Sequence, residues 1–110
     1  MPYAFVKLNI DGEDHVGTDY GVGPVDAALN AIQKITGKLS EIRIKDYGLA
    51  SISGGSGALC EVTVKVEDAL GNKVSAKSVG EDIVTTSVKA VIDAINRIML
   101  KKLLQEKRTN

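Results

Sequence analysis

The sequence predicts an α+β fold in which a strand-strand-helix unit occurs twice, with antiparallel sheets packed against two helices. Three observations lead to this prediction. Several short segments alternate apolar and polar residues, two longer segments repeat apolar residues at helical spacing, and glycine-containing turns separate them. A chain of 110 residues is long enough for one hydrophobic core. We therefore expect a single domain over residues 1–110, with an internal repeat at about 3–37 and 41–106 and a pseudo-two-fold relation between the halves.

The first half is predicted as strand, strand, helix. Residues 3–10 alternate in polarity, an Asp-Gly dipeptide follows as a strong hairpin signal, and residues 13–20 return as the second strand. Pro24 suits the first position of a helix, because its missing N–H is not needed there. Apolar residues then recur at helical spacing up to Gly37, where we expect the helix to end.

The second half is predicted to contain one strand more. Its strands are expected at residues 41–52, 60–67 and 73–79, and its helix from about residue 82 to residue 106. The first of these strands is expected to bend near Gly48, and a glycine-rich loop at residues 54–57 joins it to the second. The two halves are therefore predicted as ββα and βββα, an internal duplication.

The end of the second helix extends further than one small sheet requires. Leu100, Leu103 and Leu104 continue its apolar pattern beyond Ile98. Exposed apolar helix surfaces are typical of contacts between subunits. We therefore expect a homodimer.

Composition argues against several classes of partner. Fourteen basic and fourteen acidic residues cancel, so no overall field attracts nucleic acid or an anionic membrane. The longest apolar segment, within residues 83–104, is interrupted by Lys89, Asp93 and Lys101 among others, which does not fit a membrane span. A single cysteine and the lack of a signal-peptide pattern predict a cytoplasmic protein.

The sequence offers little for catalysis. A metal site needs several ligands that converge, and the chain has one histidine and one cysteine, so neither a metal nor another cofactor is expected. An enzyme that uses Cys60 as nucleophile and His15 as base is a remote alternative. Cys60 shares its strand face with Val62 and Val64, which favours a buried structural thiol.

The two helix starts differ in chemistry. Residues 21–23 lack the third glycine of a dinucleotide-binding loop, and Pro24 removes a backbone donor. Free N–H groups at this start favour a carboxylate, although helix capping alone would also explain the loop. Glu81 and Asp82 at the second start are suited to cap that helix or to meet an ammonium group. If the two starts lie near each other, they offer the donors and acceptors that a zwitterionic amino acid requires.

Five segments occur in a specific order along nearly the whole chain. They are Gly-Val-Gly-Pro-Val-Asp-Ala-Ala at residues 21–28, Asp-Tyr at 46–47, Gly-Gly-Ser-Gly-Ala at 54–58, Glu-Val-Thr-Val at 61–64 and the helical segment at 82–97. Together they resemble the C-terminal allosteric domain of 2-isopropylmalate synthase and citramalate synthase. The resemblance implies a duplicated, dimeric domain that binds leucine or isoleucine as end product. It also implies feedback inhibition of a separate catalytic barrel, which condenses acetyl-CoA with a 2-oxo acid.

The resemblance further implies an effector pocket. It assigns nine residues to that pocket, namely Gly21, Val22, Gly23, Val25, Asp26, Tyr47, Ser51, Ala58 and Ile83. The glycine loop would bind a carboxylate, and Val25, Tyr47 and Ile83 would enclose a branched aliphatic side chain. The family often has Asn at the position of Val22, and the apolar residue lacks that hydrogen-bonding group. The alternative is a purely structural dimerisation module that binds no effector.

Overall fold

The computed structural model describes residues 1–54 and 57–109. Gly55 and Ser56 of the predicted glycine-rich loop therefore lie outside the described residues. The elements in chain order are β1 (Tyr3–Ile10), β2 (Glu13–Tyr20), α1 (Pro24–Ser40), β3 (Arg43–Gly54), β4 (Gly57–Glu67), β5 (Lys73–Gly80) and α2 (Ile83–Thr109). This order confirms the predicted α+β class and its ββα and βββα units. Neither α1 nor α2, as far as they are described, is long and apolar enough to cross a membrane.

The chain forms two compact units, Met1–Glu41 and Ile42–Asn110. In unit 1, β1 and β2 pair antiparallel from Tyr3 opposite Tyr20 to Ile10 opposite Glu13. Asp11 and Gly12 both have positive φ, as a two-residue hairpin turn requires. The helix α1 covers this sheet with a row of buried residues, which consists of Ala27, Ala28, Ala31, Ile32 and Ile35.

The prediction that α1 ends at Gly37 is wrong. The helix continues to Ser40, and the chain leaves it at Glu41, which has the left-handed φ of 54° and donates its N–H to the carbonyl of Thr36. One glycine inside a helix costs only about 1 kcal/mol relative to alanine, so it does not end a helix that is packed on a sheet.

In unit 2, the sheet has the antiparallel order β3-β4-β5, with β4 in the centre. The inward row of β4 is Val62, Val64 and Val66, each at most 1% exposed, and α2 packs on this sheet. Pairing of β3 with β4 runs without a register shift from Asp46 to Gly54, so Gly48 lies within a regular part of the ladder. The irregularity lies earlier, between Ile44 and Asp46, where the extra residue forms a bulge.

A hydrogen-bonded cluster fixes the late part of α2. The amide of Asn72 donates to Asp68 at 2.9 Å and to Gln105 at 2.8 Å, and the amide of Gln105 donates back to Asn72 at 3.0 Å. Burial by itself raises the pKa of the Asp68 carboxyl, but the hydrogen bonds from Asn72 and Leu70 outweigh it and hold the pKa below its usual value. The helix therefore extends beyond Ile98 partly because it binds the β4–β5 turn.

Candidate functional site

The predicted site residues fall into two groups, one in each unit. The first group surrounds the start of α1, where Gly23 is the N-cap residue and Pro24 the first helical residue. Gly23 has no side chain that could cap the helix, and Asp26 lies in the first turn. The carboxylate of Asp26 instead accepts the N–H of Val22 at 2.9 Å. The loop is thus held by the third residue of the helix.

The two glycines of this loop have different roles. A Cβ at Gly21 would overlap the backbone of Asp26 and Ala27, so only glycine lets the loop pass against the first helical turn. A Cβ at Gly23 would meet no atom within 4 Å, and its φ of −139° is ordinary extended backbone. The fold therefore requires glycine at position 21 and leaves open space at position 23.

The structure changes which backbone donors are available to a ligand. The N–H of Gly21 donates to the carbonyl of Pro2 at 3.0 Å, and that of Val22 is taken by Asp26. The N–H groups of Val25 and Asp26, at the second and third helical positions, lie too early in the helix for an intrahelical acceptor. The donors offered by this start are therefore those of the first helical turn and not those of residues 21 and 22.

The second group lies on one face of the unit 2 sheet. Tyr47 pairs with Val64 and Ser51 with Cys60, which places both on the face of the inward row of β4. Ala58 has the same parity on β4 and shares that face. Ser51 and Ala58 are both exposed.

A contact to α2 fixes the orientation of Tyr47. Its hydroxyl lies 2.8 Å from the hydroxyl of Ser87, which is fully buried. Ile83, the first residue of α2, is 37% exposed and stands one turn before Ser87 on the same side of the helix. Ser87 was not among the predicted site residues, although its spacing of four from Ile83 places both on one helix face.

The start of α2 carries the cap that α1 lacks. Asp82 accepts the N–H of Val84 at 3.0 Å and the hydroxyl of Thr85 at 2.8 Å, and the Thr86 N–H donates to its carbonyl at 2.9 Å. The hydrogen bonds from Thr85 and Val84 lower the pKa of the Asp82 carboxyl below its usual value. Of the two roles predicted for this acid, the structure assigns helix capping.

The two helix starts correspond residue by residue. The Ala27 N–H donates to the Gly23 carbonyl at 2.9 Å, as the Thr86 N–H does to Asp82, so Gly23 and Asp82 hold the same place. Gly80 likewise corresponds to Gly21, because a Cβ there would overlap the Thr86 hydroxyl. What differs is the carboxylate, which is present at Asp82 and missing at Gly23.

Other features give no support to catalysis. The thiol of Cys60 donates to the carbonyl of Gly80 at 3.2 Å, as a structural cysteine does, and His15 lies 3.7 Å from the carboxylate of Glu13. No cluster of three or more potential metal ligands occurs among the described residues. A cavity of about 470 Å³ beside β2 and α1, lined by Val16, Ile35 and neighbouring residues, includes none of the nine predicted site residues.

Substitution of the two loop glycines tests their different roles. We expect Gly21→Ala to lower the free energy of unfolding by about 2 kcal/mol or more, because the Cβ forces the loop away from α1. The matched variant Gly23→Ala should cost less than about 1 kcal/mol, since only N-cap preference is affected. Urea unfolding measures both. Equal losses would contradict the packing described for Gly21.

The cap of α2 should make stability depend on pH in the acid range. Because the folded-state pKa of Asp82 is lowered, its stabilisation is present above the unfolded pKa, near 3.9, and is lost as pH falls through the folded pKa. Asp82→Ala should have a lower Tm than the unsubstituted chain at pH 7 and approach it near pH 2. Glu81→Ala, which leaves the cap in place, is the control. Parallel Tm curves for Asp82→Ala and the unsubstituted chain from pH 7 to pH 2 would contradict this assignment.

Comparison with known proteins identifies the family. The model of the LeuA allosteric (dimerisation) domain matches residues 1–99. The chain is 46% identical over 102 residues to the 2-isopropylmalate synthase of Methanocaldococcus jannaschii. The matched region is 93% of this chain and 19% of that protein. It is 42% identical over 102 residues to the probable 2-isopropylmalate synthase of Methanopyrus kandleri, with 92% and 20% covered.

A citramalate synthase is similarly close. The chain is 41% identical over 100 residues to the (R)-citramalate synthase CimA of Methanocaldococcus jannaschii, covering 89% of this chain and 20% of that protein. The chain spans about a fifth of the length of these relatives. The chain therefore belongs to the LeuA allosteric (dimerisation) domain family of the 2-isopropylmalate and citramalate synthases.

Proposed function

We propose that this chain is a non-catalytic regulatory domain that binds leucine or isoleucine and mediates feedback inhibition of a 2-isopropylmalate synthase-type acyltransferase. The condensation of acetyl-CoA with a 2-oxo acid then belongs to a catalytic barrel outside these 110 residues. The proposal assigns no cofactor to the chain, a homodimer as its assembly, and the cytoplasm as its location.

The uncapped start of α1 is the observation that carries this proposal. In α2 the carboxylate of Asp82 accepts the N–H of Val84. Val25 holds the corresponding place in α1, where the N-cap residue Gly23 leaves open space. The carboxylate of a free amino acid at Gly23 would make the bond that Asp82 makes in the other unit, and the helix dipole would favour its charge.

The acid of the first turn supplies the complementary charge. Asp26 is exposed, and one of its oxygens accepts the Val22 N–H while the carboxylate keeps further acceptor capacity. An ammonium group would be attracted to it. A zwitterionic ligand requires both donors for its carboxylate and an acceptor for its ammonium group.

Exposed apolar side chains in each of the two groups of site residues support an aliphatic side chain on the ligand. Val22 is 93% exposed and Ile83 is 37% exposed, while Val25 is half-buried. The Tyr47 hydroxyl lies 2.8 Å from that of Ser87, and we assign the Tyr47 ring as an apolar surface for the ligand. Ser51 and Ala58 are small, which leaves space. Each group is proposed as an effector-binding surface of its own unit, and each has its own test.

The same geometry keeps the alternative open. The N–H groups of Gly21 and Val22 and the Tyr47 hydroxyl are already bonded within the chain, as they would be in a dimerisation module without effector. The end of α2 favours self-association under either function. Leu100, Leu103 and Leu104 are each about half exposed there, and we propose that they contribute to the homodimer contact.

The effector proposal predicts a ligand-dependent rise in Tm. Leucine or isoleucine at a hundredfold excess over Kd should stabilise the folded chain by about 2.7 kcal/mol, because it binds only the folded state. Leucinamide, which lacks the carboxylate, should give no rise. Ile83→Ala should weaken binding roughly tenfold through lost apolar contact. The control Val79→Ala, which also shortens an exposed aliphatic side chain, should not weaken it. Differential scanning fluorimetry and calorimetric titration measure these effects.

The outcome that contradicts the proposal is a dimer that does not respond to amino acids. If sedimentation shows a stable dimer and a panel of branched-chain amino acids at millimolar concentration leaves the Tm unchanged, the structural module is the better assignment. If leucinamide raised the Tm as much as leucine, only the role proposed for the α1 start would be contradicted.

A further inference from the structure

The cavity beside β2 and α1 lies within unit 1 and contains none of the nine predicted site residues. It has a volume of about 470 Å³ and is lined by residues 15–18 of β2 and by Lys34, Ile35, Lys38 and Leu39 of α1. We call it the β2–α1 groove. Two lysines and several apolar side chains meet there, a combination that suits an organic anion.

In unit 2 the matching helix positions hold an ion pair. Counted from the N-cap residues of the two helices, Lys34 corresponds to Asp93 and Lys38 to Arg97. The guanidinium of Arg97 lies 3.1 Å from the carboxylate of Asp93 and donates to the backbone carbonyl of Ser75 on β5 at 3.3 Å. The cation of unit 2 is therefore bound by a carboxylate of its own helix.

Unit 1 has two cations at these positions and no such carboxylate. Among the described residues, no acidic side chain lies within 4 Å of the Lys38 ammonium. The Lys34 ammonium lies 3.8 Å from one carboxylate oxygen of Asp19, whose other oxygen accepts the Tyr20 N–H at 2.8 Å. Exposed ion pairs of this length contribute little to stability. Two ammonium groups one helical turn apart are thus available to an anionic ligand.

Apolar side chains line the same groove. Val16 is 55% exposed and Leu39 is 48% exposed, whereas Ile35 is buried. A Cβ at Gly17 would overlap the Ala31 carbonyl and the Ile35 side chain, so β2 lies directly against α1 here. The groove therefore offers exposed apolar surface together with its two positive charges.

We propose that the β2–α1 groove binds a small aliphatic dicarboxylate. One carboxylate pairs with Lys38, as the Asp93 carboxylate pairs with Arg97 in unit 2, and the other pairs with Lys34. The Cβ atoms of residues one turn apart on a helix are about 5–6 Å from each other, so one short molecule reaches both ammonium groups. Its alkyl part contacts the exposed apolar side chains of the groove.

The composition of the groove favours this class over an inorganic anion. A dicarboxylate matches two separate charges, and its alkyl part covers apolar surface that phosphate or sulfate would leave in water. The inference does not rest on the proposed function, because none of the residues assigned to the amino acid effector lies in the groove.

Calorimetric titration of the chain with 2-isopropylmalate tests this proposal. This compound, which occurs in the names of the relatives, carries two carboxylates and a branched alkyl group. Lys34→Asp, which gives unit 1 the acid of unit 2, should lower the affinity about tenfold or more, because it replaces an attraction by a repulsion. Lys38→Gln should also weaken binding. Lys107→Asp changes the net charge equally in the last turn of α2 and should leave the affinity unchanged.

Two further measurements locate the site and define its ligand. In two-dimensional NMR spectra, 2-isopropylmalate should shift the amide resonances of Val16, Thr18 and Lys38 most. Malate, which has the two carboxylates without the branched alkyl group, should bind about tenfold more weakly through lost apolar contact. Inorganic phosphate should not compete.

Four outcomes would overturn the proposal. They are no binding of 2-isopropylmalate at millimolar concentration, equal weakening by Lys34→Asp and Lys107→Asp, phosphate binding as tight as that of 2-isopropylmalate, and a Lys38→Gln variant with lower Tm but unchanged affinity. The last would leave Lys38 only the role of complementing the α1 dipole. Leucine titration is independent of these readouts, since binding of 2-isopropylmalate without binding of leucine contradicts only the effector proposal.

Discussion

Each helix of this domain begins where a glycine lets the preceding strand pass against the first helical turn. A Cβ at Gly21 would overlap the backbone of α1, and one at Gly80 would overlap the Thr86 hydroxyl of α2. In both units the N-cap carbonyl, that of Gly23 or of Asp82, accepts the N–H four residues further along the helix. The two units thus share this geometry and differ in the group at the N-cap position, a carboxylate at Asp82 and open space at Gly23.

Local patterns in the sequence were sufficient for most of the fold. The bounds of β1 and β2 agree with the prediction, because alternation and an Asp-Gly turn are complete within 18 residues. The end of α1 was missed since its left-handed residue is Glu41, which carries no helix-stop signature. The bulge before Asp46 was missed because it depends on pairing with β4, which local polarity does not encode.

The sequence predicted where the candidate site residues lie better than it predicted their hydrogen bonds. Composition and helix-start patterns indicated the loop at residues 21–23, and the family resemblance supplied Tyr47, Ser51, Ala58 and Ile83. The bond from Val22 to Asp26 depends on how the loop folds onto α1. The contact between Tyr47 and Ser87 joins residues 40 positions apart, and local sequence periodicity does not predict contacts between residues so far apart in the chain.

We propose that the open space at Gly23 receives a ligand carboxylate at the place where α2 has the carboxylate of Asp82. Gly23→Asp would place the same group at α1 that Asp82 places at α2 and would leave Gly21 intact. Calorimetric titration with leucine and isoleucine should then show an affinity at least tenfold lower than that of the unsubstituted chain, with Gly23→Ala close to it. Unchanged affinity in Gly23→Asp would contradict the account.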